Sequence, residues 1–366
     1  MGYTRIMTDV ELLAEIEPTI EQAFDGHMIT ANKNGRPFYP PTVLARVAET
    51  DRDPYQYGQV LKDSYDEHIE SFADTYGVDV RTVLAASFLV NLLTEDNLPA
   101  YTSRIQALSA ASPALIEFSK EWTAEEDAHG VLMRDYALLT GMIGDDGIIS
   151  HEDYEAGRIS QLREGTEINP PSLFHGFAYL TLQEHLTKEA HNKLGWLLDK
   201  KGKAVMSPIA GDEQNHYEFY RRLNKATLDH KPDETLKAMR DVYQGFDMPG
   251  RLGIPNFDTH AATISLAGIF DLETITKSQQ TIVKKIDIEA AEPVTDEGKE
   301  AQEQIIDITS DRSVMASRQV MERLRSGMSD TTNDGLAPFV LGKTIDFSTI
   351  ETVVGPRITG LQAIAA

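Results

Sequence analysis

Four glutamates and two histidines recur in the order Glu, Glu-x-x-His, Glu, Glu-x-x-His: Glu95; Glu126 and His129; Glu184; Glu213 and His216. Hard oxygen ligands joined by imidazole suit iron or manganese, and a set delivered twice calls for two ions rather than one. Two helices giving one Glu each and two giving Glu-x-x-His is the sequence form of a carboxylate-bridged two-metal site in a four-helix bundle. The expected fold class is therefore all-α, a ferritin-like bundle with additional N- and C-terminal helices.

The apolar stripes around these residues test the idea. Leu84, Phe88 and Leu92 lead to Glu95. Phe118, Trp122, Glu126, His129, Met133 and Tyr136 share one face, as do Phe177, Leu180, Glu184, Thr187, His191 and Leu194. Ile209, Glu213, His216, Tyr220 and Leu223 form the fourth stripe. Residues three and four apart lie on the same side of a helix, so all six candidate ligands occupy core positions. Converging ionised carboxylates in an apolar interior are prohibitively costly without cations. Glu125 falls off its stripe, so Glu126 is taken as the ligand. His185 is also off its stripe and is expected at the surface. His191 is read as a hydrogen-bonded core histidine, and Trp122 and Trp196 as packing residues.

Spacing adds topology. Glu95 and Glu126 are 31 positions apart, Glu184 and Glu213 are 29 apart, and the middle gap is 58. Two antiparallel hairpins joined by a longer crossover satisfy these separations. A helical stretch is expected over Asp9–Phe24, an extended one over Arg36–Pro41, and long helices from Tyr55 to Phe246. Turns are placed at Ser109–Pro113, Gly141–Gly147 and Asn169–Ser172. Further helices follow over Pro255–Met328, broken at Pro293 and Gly298. The expected organisation is an N-terminal segment (1–54), a bundle (55–255), C-terminal helices of the same domain (256–328) and a tail (329–366).

The 366-residue chain is 41% apolar and 25% charged, the profile of a globular protein. The most apolar stretch, Val83–Leu93, is interrupted by Ser87 and Asn91 and is too short to span a membrane. The N-terminus reads as having no signal peptide, so a cytoplasmic location is expected. A formal charge of −24 disfavours nucleic acid and anionic membrane as partners. There is no cysteine, which excludes disulfides, thiolate metal sites and iron–sulfur clusters within the chain. Electrons for any redox chemistry must come from another protein. No dinucleotide fingerprint, Walker A loop or nucleophile elbow is present.

At TEDNLPAY (Thr94–Tyr101), EWTAEEDAHG (Glu121–Gly130), LQEHLTKEAH (Leu182–His191) and DEQNHYEFY (Asp212–Tyr220), the chain resembles the soluble acyl-[acyl-carrier-protein] desaturases. These are di-iron enzymes typified by plant stearoyl-ACP desaturase and its actinobacterial relatives. DMPGRL (Asp247–Leu252) and TDEGKEAQ (Thr295–Gln302) extend the likeness, which runs from about residue 55 to about 325. The resemblance implies two iron ions, with manganese substitution open. Glu126 and Glu213 bridge them, Glu95 and His129 complete one ion, and Glu184 and His216 complete the other. It also implies that Thr187 faces the oxygen side and that Asp212 supports a ligand histidine. A plant-type tryptophan near this aspartate has no counterpart, since none precedes Trp122.

The activity so implied is oxygen-dependent desaturation of a fatty acyl chain on acyl carrier protein, fed by a ferredoxin-like donor, in a homodimer. Other oxidases on the same bundle (a hydroxylase, an N-oxygenase or an acetylenase) and a non-catalytic iron-binding relative are the alternatives. Met133 and Leu180 are expected to line the acyl channel. Three basic clusters are candidates for docking the acidic carrier: Arg221, Arg222 and Lys225; Lys284 and Lys285; and Arg318, Arg323 and Arg325. The turn cluster Lys200, Lys201 and Lys203 reads as solvated.

Overall fold

The computed structural model describes residues 2–49, 54–76, 80–164, 170–248 and 251–329. Among these, regular structure is helical apart from one isolated bridge between Ile143 and Ile149. The N-terminal region holds α1 (Gly2–Asn34), α2 (Pro40–Ala48) and α3 (Pro54–Tyr76). Then come α4 (Val80–Glu95), α5 (Leu98–Ser109) and α6 (Pro113–Leu139). The crossover carries α7 (His151–Glu164) and leads to α8 (Leu173–Leu197) and α9 (Lys200–His230). The C-terminal helices are α10 (Pro232–Gln244), α11 (Phe257–Leu266), α12 (Leu272–Ile286), α13 (Asp296–Ile308) and α14 (Asp311–Ser329). This is the expected all-α, ferritin-like architecture.

The bundle proper is α4, α6, α8 and α9: α4 packs on α6 and α8, α6 on α9, and α8 along α9. Local chemistry sets the starts of three of these helices. Ser112, Ser172 and Asp199 each accept a hydrogen bond from a backbone N–H in the first turn of α6, α8 and α9, and Pro113 opens α6. The α8–α9 hairpin forms as its spacing predicts, turning on Leu198 and Asp199.

The first pair differs from expectation. Glu95 is the last residue of α4, and a whole helix, α5, stands between it and α6. The 31-position gap thus holds all of α5 as well as the first half of α6, because Pro99 restarts the helix directly after the Asp96–Asn97 turn.

α1 is longer than the Asp9–Phe24 stretch. It buries Leu12, Leu13, Ile16 and Ile20 against Phe118, Phe219 and Tyr220. Each such side chain contributes about 1.5–3 kcal/mol of burial. Pro40 and Pro41 start α2 rather than ending an extended stretch. Pro293 precedes α13 as expected, but Gly298 lies inside that helix, where its N–H caps onto Thr295. Beyond Ser329 the expected tail lies outside the described residues. No helix among those described is long and apolar enough to cross a membrane.

Candidate metal centre

All six predicted ligands meet at the middle of the bundle, and none is more than 8% exposed. Their donor atoms fall into two groups, each within a 4.8 Å span. One is Glu95, Glu126, His129 and Glu213; the other is Glu126, Glu184, Glu213 and His216. Glu126 and Glu213 belong to both, so the shared pair stands between two sites of three carboxylates and one imidazole.

The imidazoles face the cluster through Nδ1. His129 Nδ1 lies 3.6, 3.4 and 3.3 Å from oxygens of Glu95, Glu126 and Glu213. His216 Nδ1 lies 3.0, 3.5 and 3.8 Å from oxygens of Glu126, Glu184 and Glu213. Neither Nδ1 makes a hydrogen bond, and Glu213 Oε1 is likewise buried without one. The far nitrogens are held instead: His129 Nε2 is 3.2 Å from Asp212 Oδ2, and His216 Nε2 is 2.8 Å from Glu125 Oε2. Nitrogens fixed from behind and unpartnered in front, aimed at clustered carboxylates, fit two cations.

The electrostatics point the same way. Burial pushes the Glu126 carboxyl up, against the opposing influence of His129. Burial and the charge of Glu126 hold Glu213 well above the usual carboxylate range. Burial also raises Glu95, but contacts from His129 and His191 outweigh it and hold this carboxyl low. Burial pulls both ligand histidines down, and the surrounding carboxylates more than reverse that.

Gly130 packs closely on the end of α4 at Glu95 and Asp96. A Cβ there would sit 3.2 Å from Asp96 Oδ1 and 3.6 Å from the carbonyl carbon of Glu95. This accounts physically for the His-Gly pair on α6.

The cluster opens on an apolar cavity whose wall includes Glu95, Glu126, Glu184 and Glu213 beside Leu98, Ile105, Leu108, Trp122, Tyr179 and Leu180. A second cavity, bounded by Phe257, Ile264, Ile269 and Phe270, shares Thr94, Glu95, Gln183 and Thr187 with the first. Leu180 lines the first cavity as expected. Met133 does not; it lies two turns beyond Glu126 on α6, fully buried in the core cluster that includes Leu44, Leu92 and Ile209. The Thr187 hydroxyl donates to the Gln183 carbonyl and accepts from Gln183 Nε2, both at 2.9 Å.

Several sequence readings need correction. Glu125 is fully buried, because α1 covers the side of α6 that the stripe left open. Its partners there are His27 of α1, at 3.0 Å, and His216. Burial raises this carboxyl, and the two histidine contacts hold it below the usual range. His185 is 6% exposed rather than at the surface, since α12 covers that face and Ser278 Oγ lies 3.0 Å from Nδ1. Burial lowers its pKa to about 4. Trp196 is 72% exposed, with Lys203 Nζ 3.1 Å above its ring, whereas Trp122 packs inside as expected. His191 is a core histidine, its Nε2 3.0 Å from Glu95 Oε1.

Of the basic clusters, Arg221 pairs with Glu218 and Lys225 with Asp229, while Arg222 packs over Gly26 of α1. Lys284 faces Asp311 at 3.8 Å and Arg318 pairs with Glu273. The side chains of Arg323 and Arg325 lie outside the described residues.

Residues 8–333 match the profile of a family described as fatty acid desaturase. DesA1 of Mycobacterium tuberculosis, described as an acyl-[acyl-carrier-protein] desaturase, is 26% identical over 338 residues, covering 88% of this chain and 93% of its own. Stearoyl-[acyl-carrier-protein] 9-desaturase 6 of Arabidopsis thaliana is 28% identical over 230 residues, 58% of each chain. The X-ray structure of M. tuberculosis DesA2, described as an acyl-ACP desaturase, superposes with a TM-score of 0.53 at 17% identity. That match covers 81% of this chain and 99% of the other.

Proposed function

The chain belongs to the fatty acid desaturase family, as an enzyme of the acyl-[acyl-carrier-protein] desaturase type, and we propose that it desaturates a carrier-bound fatty acyl chain at a two-iron centre using oxygen. Glu95, Glu126, His129, Glu184, Glu213 and His216 would hold the ions. When bound and reduced with two electrons from a ferredoxin-like donor, the ions would activate O2, which would accept one hydrogen from each of two adjacent methylenes and, with two protons, leave as two waters.

One observation carries this reading: the metal-site carboxylates form part of the wall of an apolar cavity. A hydrocarbon can lie there with its methylenes against the ligand cluster, and the apolar lining excludes water from it. Glu126 and Glu213, common to both donor groups, would neutralise charge between the two ions. Asp212 and Glu125 fix the ring orientations of His129 and His216. Leu98, Ile105 and Leu180 restrict where the chain runs. Acyl carrier protein is the fitting donor of that chain, and the cytoplasm the fitting compartment.

The test is product analysis by mass spectrometry on carrier-bound acyl chains of graded length, with a reduced ferredoxin and oxygen. Loss of two mass units, with about two equivalents of iron per chain, is the expected result. Gain of an oxygen would replace the reading with hydroxylation. Iron bound without any product would replace it with a non-catalytic role.

A further inference from the structure

The two ligand histidines are buttressed in the same way, and both buttresses end on one short stretch after the middle of α1. His216 Nε2 meets Glu125, and Glu125 meets His27 Nε2 at 3.0 Å. The His27 ring stacks on the His216 ring at 5.7 Å and 21°. On the other side His129 Nε2 meets Asp212, and Asp212 is ion-paired with Arg36. The Phe38 ring stacks on the His129 ring at 6.0 Å and 23°, with the Arg36 guanidinium 5.4 Å from the Phe38 centroid.

These are built-in contacts. The side chains of His27, Glu125, Arg36 and Asp212 are at most 8% exposed. A Cβ at Gly211 would fall 2.8 Å from Arg36 Nη2, so α9 leaves a space that the guanidinium fills. The arms nevertheless end differently. Arg36 carries a permanent charge on a planar fork, while His27 presents an imidazole.

We infer that His27 and Arg36 are positioning residues of the metal centre, each fixing one histidine ligand through one carboxylate, and that their different chemistry makes the two metal positions unequal. A carboxylate behind a ligand imidazole raises its basicity, and a cation behind that carboxylate draws the effect back. The His129 position therefore has the weaker nitrogen donor and the His216 position the stronger. The inference rests on the two-metal reading and concerns residues that lie outside the ligand set.

The experiment uses the full chain loaded with ⁵⁷Fe and read by Mössbauer spectroscopy, with iron affinity measured alongside. The unaltered protein should show two quadrupole doublets of equal area. His27→Leu, which keeps the packing but removes the donor to Glu125, should move one doublet and weaken one equivalent of iron roughly ten- to a hundredfold. Glu125→Gln should move that same doublet, and reports on the arm should His27→Leu not fold. Arg36→Met should move the other doublet, while Arg36→Lys should move it less. His27→Gln, whose amide can still donate to Glu125, should restore the first.

A single doublet in the unaltered protein, variants of both arms moving the same doublet, variants that move neither, or a His27→Gln that behaves like the leucine variant would each overturn the inference. Fewer than two irons in the unaltered protein would instead sink the two-metal reading on which it stands.

Discussion

Glu125 and Glu126 face opposite nitrogens of one imidazole: Glu125 Oε2 is hydrogen-bonded to His216 Nε2 at 2.8 Å, and Glu126 Oε1 lies 3.0 Å from the unpartnered Nδ1. Neighbours in sequence, they point to different sides of α6 and serve different tasks. Glu126→Ala should drop iron content from about two equivalents to at most one and abolish turnover, because the carboxylate is common to both donor groups. Glu125→Gln should still hold two irons when iron is saturating. Metal analysis of the two variants decides this, and two equivalents in Glu126→Ala would refute the bridging assignment.

Removing the metal should make stability depend on pH in a defined sense. Glu126 and Glu213 sit above their ordinary 4.5 when folded, and His129 and His216 well above 6.5. All four bind protons more tightly folded than unfolded. Their contribution is therefore complete at low pH and is lost as pH rises, from 4.5 upward for the carboxyls and above 6.5 for the imidazoles. Glu95, held below 4.5, opposes this only in acid. Each surplus proton corresponds to about 1.4 kcal/mol per pH unit. Cations displace these protons, so the rise in Tm on loading iron should be larger at pH 8 than at pH 6. Equal gains at both would contradict the proton accounting.

That these side chains meet in the core was legible because helical periodicity fixes which face a residue occupies, and Glu126, His129, Glu213 and His216 each continue an apolar stripe. The α8–α9 hairpin was legible for the same reason. His27 and Arg36 were not. His27 meets Glu125 across 98 positions, and Arg36 meets Asp212 across still more, so no local pattern links them. His185 was misplaced because a single stripe describes a helix with one covered face, and Glu125, off its stripe, is buried for the same reason. α6 is covered on further sides by α1 and α2, and α8 by α10 and α12. Trp196 erred in the opposite direction, since aromatic character favours burial without requiring it.

Gly130→Ala is expected to loosen the metal site through its backbone. The added methyl group meets Asp96 Oδ1 at 3.2 Å, and Asp96 cannot readily yield because Arg134 and Tyr154 hold it at 2.9 and 2.8 Å. Overpacking of this kind costs about 1–3 kcal/mol. Strain placed beside Glu95 should lower iron affinity as well as Tm. A variant with reduced Tm and unchanged iron affinity would show that Glu95 does not depend on this contact.

Thr187→Val should retain both irons. It removes the partner of Gln183 Nε2 where the two cavities meet, a loss of about 1 kcal/mol in hydrogen bonding, and frees that amide to turn into the acyl path. More oxygen should then be consumed per double bond formed. Simultaneous oxygen-electrode and product measurements test this, and an unchanged ratio would remove Thr187 from the handling of oxygen.

Gly176 lies on the cavity wall, eight positions before Glu184 on α8, or roughly 12 Å along the helix. A Cβ there would meet Leu108 at 3.2 Å and Pro170 at 3.7 Å, both on the same wall. The added methyl group itself takes space on the cavity wall and presses on the Leu108 side chain, so Gly176→Ala should shorten the space for the acyl chain while leaving the metal site intact. One methylene in an apolar pocket is worth about 1–3 kcal/mol, so the ratio of kcat/KM between a shorter and a longer acyl chain should rise by roughly tenfold or more. Competition between carrier-bound chains of two lengths gives that ratio directly. Iron content serves as the control. An unchanged ratio at full iron content would place the end of the chain elsewhere, and the cavity bounded by Phe257, Ile264 and Phe270 would then be the next to narrow.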